Sequence, residues 1–89
     1  MKLRYEFTVM DMGDGFAAVP VGDDASAFHG MLKMNDIAAD ILGQLKEDTE
    51  PMAIHNYLKS KYPDSTDHEI GTALADFLNE LYREGLLIV

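Results

Sequence analysis

The sequence has no cysteine. That excludes a disulfide scaffold, a thiolate nucleophile and a cysteine-based metal site, and it fits a reducing cytosol. Cations are few: seven Lys and Arg stand against sixteen Asp and Glu, for a formal net charge of −9. Nucleic acid and anionic membrane surfaces repel such a chain unless its bases gather in one place. Along the sequence they do not gather, because Lys2, Arg4, Lys33, Lys46, Lys59, Lys61 and Arg83 are scattered. Long apolar runs are missing as well, and nothing approaches the ~20 residues that span a bilayer. The stretch Met1 to Glu6 carries charges where the apolar region of a signal peptide would sit. Eighty-nine residues make one domain, 1–89, with a modest core and little material to wall off a deep active site. The expected compartment is the cytoplasm, with neither nucleic acid nor membrane as partner.

What the chain does have is clear periodicity. Leu3, Tyr5, Phe7 and Val9 alternate with Lys2, Arg4, Glu6 and Thr8, the period of a strand with one buried face. Met12-Gly13-Asp14-Gly15 supplies a turn, and Phe16 to Val21 a second strand that pairs with the first as a hairpin. Pro20 cannot donate to a ladder, so it belongs at an edge or a strand end. After the polar loop Gly22–Ser26, Phe28 to Met34 reads as a third strand.

From Asn35 the apolar spacing becomes helical. Asn35 is a good N-cap, followed by Asp36 and the stripe Ile37, Ile41, Leu42, Leu45 as far as about Lys46. Pro51 suits a first helical turn; Ile54, Tyr57, Leu58 and Tyr62 continue that helix and Pro63 ends it. Thr66-Asp67-His68-Glu69 matches a capping box, and Ile70, Leu74, Phe77, Leu78 and Leu81 line one face of a longer third helix that Gly85 stops. Leu86 to Val89 is an apolar tail, expected to pack back on the core or add a short strand. The fold class is therefore α+β: a three-stranded antiparallel sheet followed by three helices, winged helix-turn-helix-like.

Residues able to do chemistry are not arranged to do it. His29, His55 and His68 fall on three different predicted elements, with no i,i+4 pair. Asp36/Asp40 and Asp76/Glu80 are spaced i,i+4 on helices, but acids are abundant and a solvated face explains both pairs. Asp11 to Gly15 lacks the oxygen ligands of a calcium loop. No glycine-rich phosphate loop is present, and Ser26, Ser60 and Ser65 sit in no nucleophile motif. The expectation is a protein that is no enzyme, with no catalytic residue, no metal site and no cofactor.

Two features point to binding. The third helix occupies the place of a winged-helix recognition helix, yet Asp67–Glu84 holds five acids and one base, which argues against DNA. A three-stranded sheet has two edges, and the Met- and Leu-rich third strand carries few charges to block further pairing. Such an edge suits an added peptide strand; coverage by the chain's own tail or by a homodimer partner explains it equally well.

These residues resemble the family of PqqD, the pyrroloquinoline-quinone synthesis protein D, whose fold recurs as the recognition element for ribosomally made, modified peptides. The resemblance runs from about Phe16 to Leu87. It rests on Val19-Pro20-Val21-Gly22 in the hairpin, on Gly30-Met31-Leu32-Lys33-Met34-Asn35-Asp36 at the turn into the first helix, and on the close Asp76-Phe77-Leu78-Asn79-Glu80-Leu81-Tyr82-Arg83-Glu84-Gly85-Leu86-Leu87. Where relatives often have Gly-Ala and a Trp in the first helix, this chain has Ile37 to Leu42, which fills the same core face. The resemblance implies that a precursor's leader peptide adds as a strand to the third strand, in a groove shared with the third helix. A modifying enzyme, of the radical S-adenosylmethionine type for PqqD, would act on the presented peptide. Carried onto this sequence, His29, Gly30, Met31, Leu32 and Lys33 would supply the backbone pairing, and Ala73, Phe77, Glu80 and Leu81 the helix side. Phe77 and Leu81 also lie on the core stripe, and for each of them the core is the better reading. The rival readings are a winged-helix regulator and a homo-oligomerisation module.

Overall fold

The computed structural model describes residues 1–22 and 31–89. Its elements run β1 (Lys2–Leu3), β2 (Phe7–Asp11), β3 (Phe16–Pro20), β4 (Leu32–Met34), α1 (Asp36–Gln44), α2 (Pro51–Lys61), α3 (Asp67–Arg83) and β5 (Leu87–Ile88). Strands β2, β3 and β4 form an antiparallel sheet in that order, and β1 pairs with β5 in a second, two-stranded sheet. The expected α+β architecture is present, with one correction and one extension. The N-terminal alternation does not make one strand. It breaks at Arg4–Glu6 into two pieces that serve different sheets, because β1 is drawn away from the hairpin. The Leu3 amide donates to the Leu45 carbonyl and the Arg4 amide to the Leu86 carbonyl, both long-range closures that no local pattern encodes. The apolar tail is the other half of that small sheet, with Leu3 opposite Leu87.

The hairpin's turn needs Gly15. Its φ is +151°, and a Cβ there would stand 3.0 Å from the Met34 carbonyl oxygen, so both backbone conformation and space disfavour a side chain. Of the expected third strand Phe28–Met34, the described residues show Leu32–Met34 as strand with Met31 just before it, and Phe28 to Gly30 lie outside the described residues.

The helix boundaries follow their caps. Asn35 Oδ1 accepts from the Ala38 amide at 2.9 Å. Thr66 and Glu69 form a complete capping box, Oγ1 accepting from the Glu69 amide at 3.1 Å and the Glu69 carboxylate from the Thr66 amide at 2.9 Å. These bonds hold the Glu69 carboxyl below its ordinary value of 4.5. The core is built from the three helical stripes and the tail after α3: Ile41, Leu42, Leu45, Ile54, Leu58, Ile70, Leu81 and Leu86 are sealed from solvent. Each such side chain contributes about 1.5–3 kcal/mol relative to an exposed one. The sheet closes this core with Phe7, Ala18, Leu32 and Met34. One polar cluster ties α1 to the end of α2: Asp40 accepts from the Tyr62 hydroxyl and, at 2.7 Å, from Lys61 Nζ. The bond to Asp40 and partial burial push the Tyr62 hydroxyl up to about 12.

Candidate functional site: the groove between β4 and α3

The hydrogen-bond phase of the sheet decides what β4 offers. The Met12 amide donates to the Gly15 carbonyl at 2.8 Å and the Val21 amide to the Glu6 carbonyl at 3.1 Å. These bonds flank the pairs Asp11–Phe16 and Phe7–Pro20, which makes both of them non-hydrogen-bonded pairs of the β2–β3 ladder. The backbone groups of Phe16 and Ala18 therefore point towards β4 and meet Met34 and Leu32, their register partners. The Met34 oxygen, 3.0 Å from where a Cβ on Gly15 would stand, agrees with this. Pro20, with no N–H to give, sits where β2 asks for none. By alternation, the N–H and C=O of Lys33 point away from β3 to the other side of β4, where no strand pairs with it among the described residues.

Beside that edge lies a groove of about 290 Å³ between β4, the start of α1 and α3. Lys33, Met34 and Ala38 line one side and Ala73, Asp76, Phe77 and Glu80 the other. The α3 residues recur at i, i+3, i+4 and i+7, one face of a helix. Phe77 is 8% exposed and Met34 7%, so each belongs to the core and shows only a sliver to the groove. The result is an apolar floor under polar walls. Among the described residues, Lys33, Asp76 and Glu80 have no ion-pair partner.

The groove brings together Lys33, Ala73, Phe77 and Glu80 as the sequence suggested. Leu32 is on β4 but turns its side chain into the core at 8% exposure, so only its backbone borders the edge strand. Met31 is 47% exposed just ahead of β4. Leu81 is corrected: at 0% exposure it lies beneath the groove in the core and has no surface to offer. His29 and Gly30 lie outside the described residues. Sequence reasoning missed Asp76, Asn35, Ile37 and Ala38 as lining residues. Asp76 was within reach, since it falls three residues after Ala73 on the same helix face; the α1 residues were not, because their approach to α3 is tertiary. Among the described residues, no group of three His, Asp or Glu side chains is placed to hold a metal ion, and no helix is long and apolar enough to cross a membrane.

The profile of the family described as Coenzyme PQQ synthesis protein D (PqqD) matches residues 9–87. The chain belongs to this PqqD family. Two solved structures share its fold. One is TbiB1 in complex with the TbiA(beta) leader peptide, at 18% identity and a TM-score of 0.71, covering 98% of this chain and 94% of the other. The second is a lasso peptide synthetase B1 complexed with the leader peptide, at 22% identity and a TM-score of 0.69, covering 99% of this chain and 96% of the other. No curated protein matches the sequence.

Proposed function

We propose that this chain is a recognition domain that binds the leader of a ribosomally made precursor peptide by strand addition to β4 and presents the peptide to a modifying enzyme. The observation that carries this reading is the outward-facing N–H and C=O of Lys33 beside an apolar-floored groove. Membership of the PqqD family supports it, as do two structural neighbours held with leader peptides. An extended peptide docked there gains main-chain hydrogen bonds whatever its sequence, and selectivity from the side chains it lays into the groove. Met31, Lys33, Ala73, Asp76, Phe77 and Glu80 are the contacts in this proposal, with the backbone of Leu32 alongside. His29 and Gly30 extend the same strand in the proposal.

The domain performs no chemistry in this reading. It raises the effective concentration of the substrate beside a partner enzyme, a radical S-adenosylmethionine enzyme or another peptide-modifying one. The acids of α3 disfavour DNA as the ligand, since Asp76 and Glu80 stand where a recognition helix needs donors.

The test is an NMR titration of the labelled domain with a synthetic leader peptide from a precursor encoded beside it. Expected are shifts at Met31–Asn35 and Ala73–Glu80. No shifts, together with a Lys33 amide already protected from exchange in the free protein and a dimeric molar mass, would replace this reading with self-association through β4.

A further inference from the structure

Three of the seven cations, separated in sequence by as many as 44 positions (46 − 2), meet in the fold. Lys2, Arg4 and Lys46 line one cavity of about 640 Å³ at the junction of β1 and β2, together with Glu6, Val21 and Ile88. We propose that this cavity is a second docking site, which takes a short carboxylate-bearing segment of a partner protein. The inference does not rest on the leader-peptide reading, because among the described residues the cavity shares none with the β4–α3 groove.

Charge is the first argument. The whole chain is at −9, so a place where, among the described residues, three bases meet one acid is an exception to its own field. The second argument is availability. Lys61 is bonded to Asp40, and Lys59 donates to the Ser65 carbonyl at 2.6 Å and lies 3.9 Å from Asp67. Lys2, Arg4 and Lys46 form no ion pair among the described residues. Arg4 is also positioned: its Nε donates to the Gly85 carbonyl at 3.0 Å, which fixes the guanidinium at the cavity. An Arg fixed in this way loses less side-chain freedom when it meets a carboxylate.

The size of the cluster selects the ligand class. Polyanion binding needs a basic stripe along a face, and anionic lipid recognition needs about 4–8 clustered bases. Three cations in a concave site with apolar Leu3, Phe7 and Ile88 fit one or two carboxylates on a peptide. The site's position allows both ligands at once: β2 and β4 are opposite outer strands of the sheet, so β2 carries this cavity and β4 the groove.

The probe is a capped hexa-aspartate peptide titrated into the labelled full chain. Expected are saturable millimolar shifts at Lys2–Thr8 and Lys46, none at Leu32–Met34, and their loss at high salt. The Lys2→Gln/Lys46→Gln double variant, with an otherwise unchanged spectrum, should bind the probe about fivefold or more weakly, as expected for two lost contacts between opposite charges. Non-saturating shifts, shifts centred on the groove, or an unchanged affinity in the double variant would overturn the proposal. Equal affinity for inorganic phosphate at matched ionic strength would overturn it too, as the mark of a plain anion site. Leader-peptide shifts in the same double variant are read separately, so failure here leaves the groove reading standing, and the reverse holds.

Discussion

Along β4 the outward-facing groups are backbone, the N–H and C=O of Lys33, above a floor formed by Met34, Ala38 and Phe77. Across the same sheet, beyond β2, the outward-facing groups are the charged ends of Lys2, Arg4 and Lys46. The first side is suited to short-range hydrogen bonds and apolar contact, which salt scarcely weakens. The second is suited to charge, which salt screens. The difference arises from what closes each edge. Helix α3 packs near β4 and leaves a trough between them, whereas the chain beside β2 turns away at Arg4 to pair with the tail and brings its bases with it.

The largest way to break this comparison is to remove what both sides share. Leu81 is fully buried beneath the groove wall, and Leu81→Ala should cost about 2–5 kcal/mol. In a domain of this size that is much of the total stability, and thermal unfolding should show it. Both proposed binding activities should fall together in proportion to the unfolded fraction.

Lys33→Pro separates the sides. The lost N–H faces away from β3, so the β3–β4 ladder keeps its bonds, and the restriction on Leu32 is one a strand residue already meets. Leader affinity should fall about tenfold or more, while Tm and the hexa-aspartate titration stay near wild type. Lys33→Ala, which keeps the amide, should lose far less. Equal losses in the two variants would locate the contact in the lysine side chain instead.

Tyr62→Phe should touch neither surface. It removes the bond to Asp40 and should cost about 1 kcal/mol. It also tests a sign. The folded protein holds the Tyr62 proton up to about 12, above the ordinary 10.0 of the unfolded chain. The stabilisation is therefore intact below pH 10 and drains away as pH rises through 10–12. In wild type Tm should fall more steeply over that window than in Tyr62→Phe.

The smallest effect is expected from Glu69→Gln at the capping box. Glu69 is held below 4.5, so its contribution is present above that value and lost as pH falls below it. The variant should flatten the acid limb of the Tm–pH curve and leave both titrations unchanged.

Much of this was readable from the residues. Asn35 and the Thr66–Glu69 pair announced two helix starts, and the apolar stripes named nearly all of the sealed core. Ala73, Phe77 and Glu80 were placed on the groove side by their family resemblance and stand there. Leu81 was placed with them and is core, because one more residue along a helix rotates a side chain by about 100° from the groove to the interior. The split of the N-terminal alternation between two sheets was not readable, since Leu3 and Phe7 share a period whichever sheet receives them.

Periodicity and capping act over a few residues, so the sequence by itself determined which segments are strands, which are helices and which faces are apolar. It also set the net charge of −9 and the excess of acids over bases along α3. Tertiary structure alone decided which backbone groups face outward on β4, because that depends on the phase of cross-strand bonds such as Met12 to Gly15. It alone brought Lys46 beside Lys2 and Arg4, because charges far apart in sequence become neighbours only when the chain between them folds back.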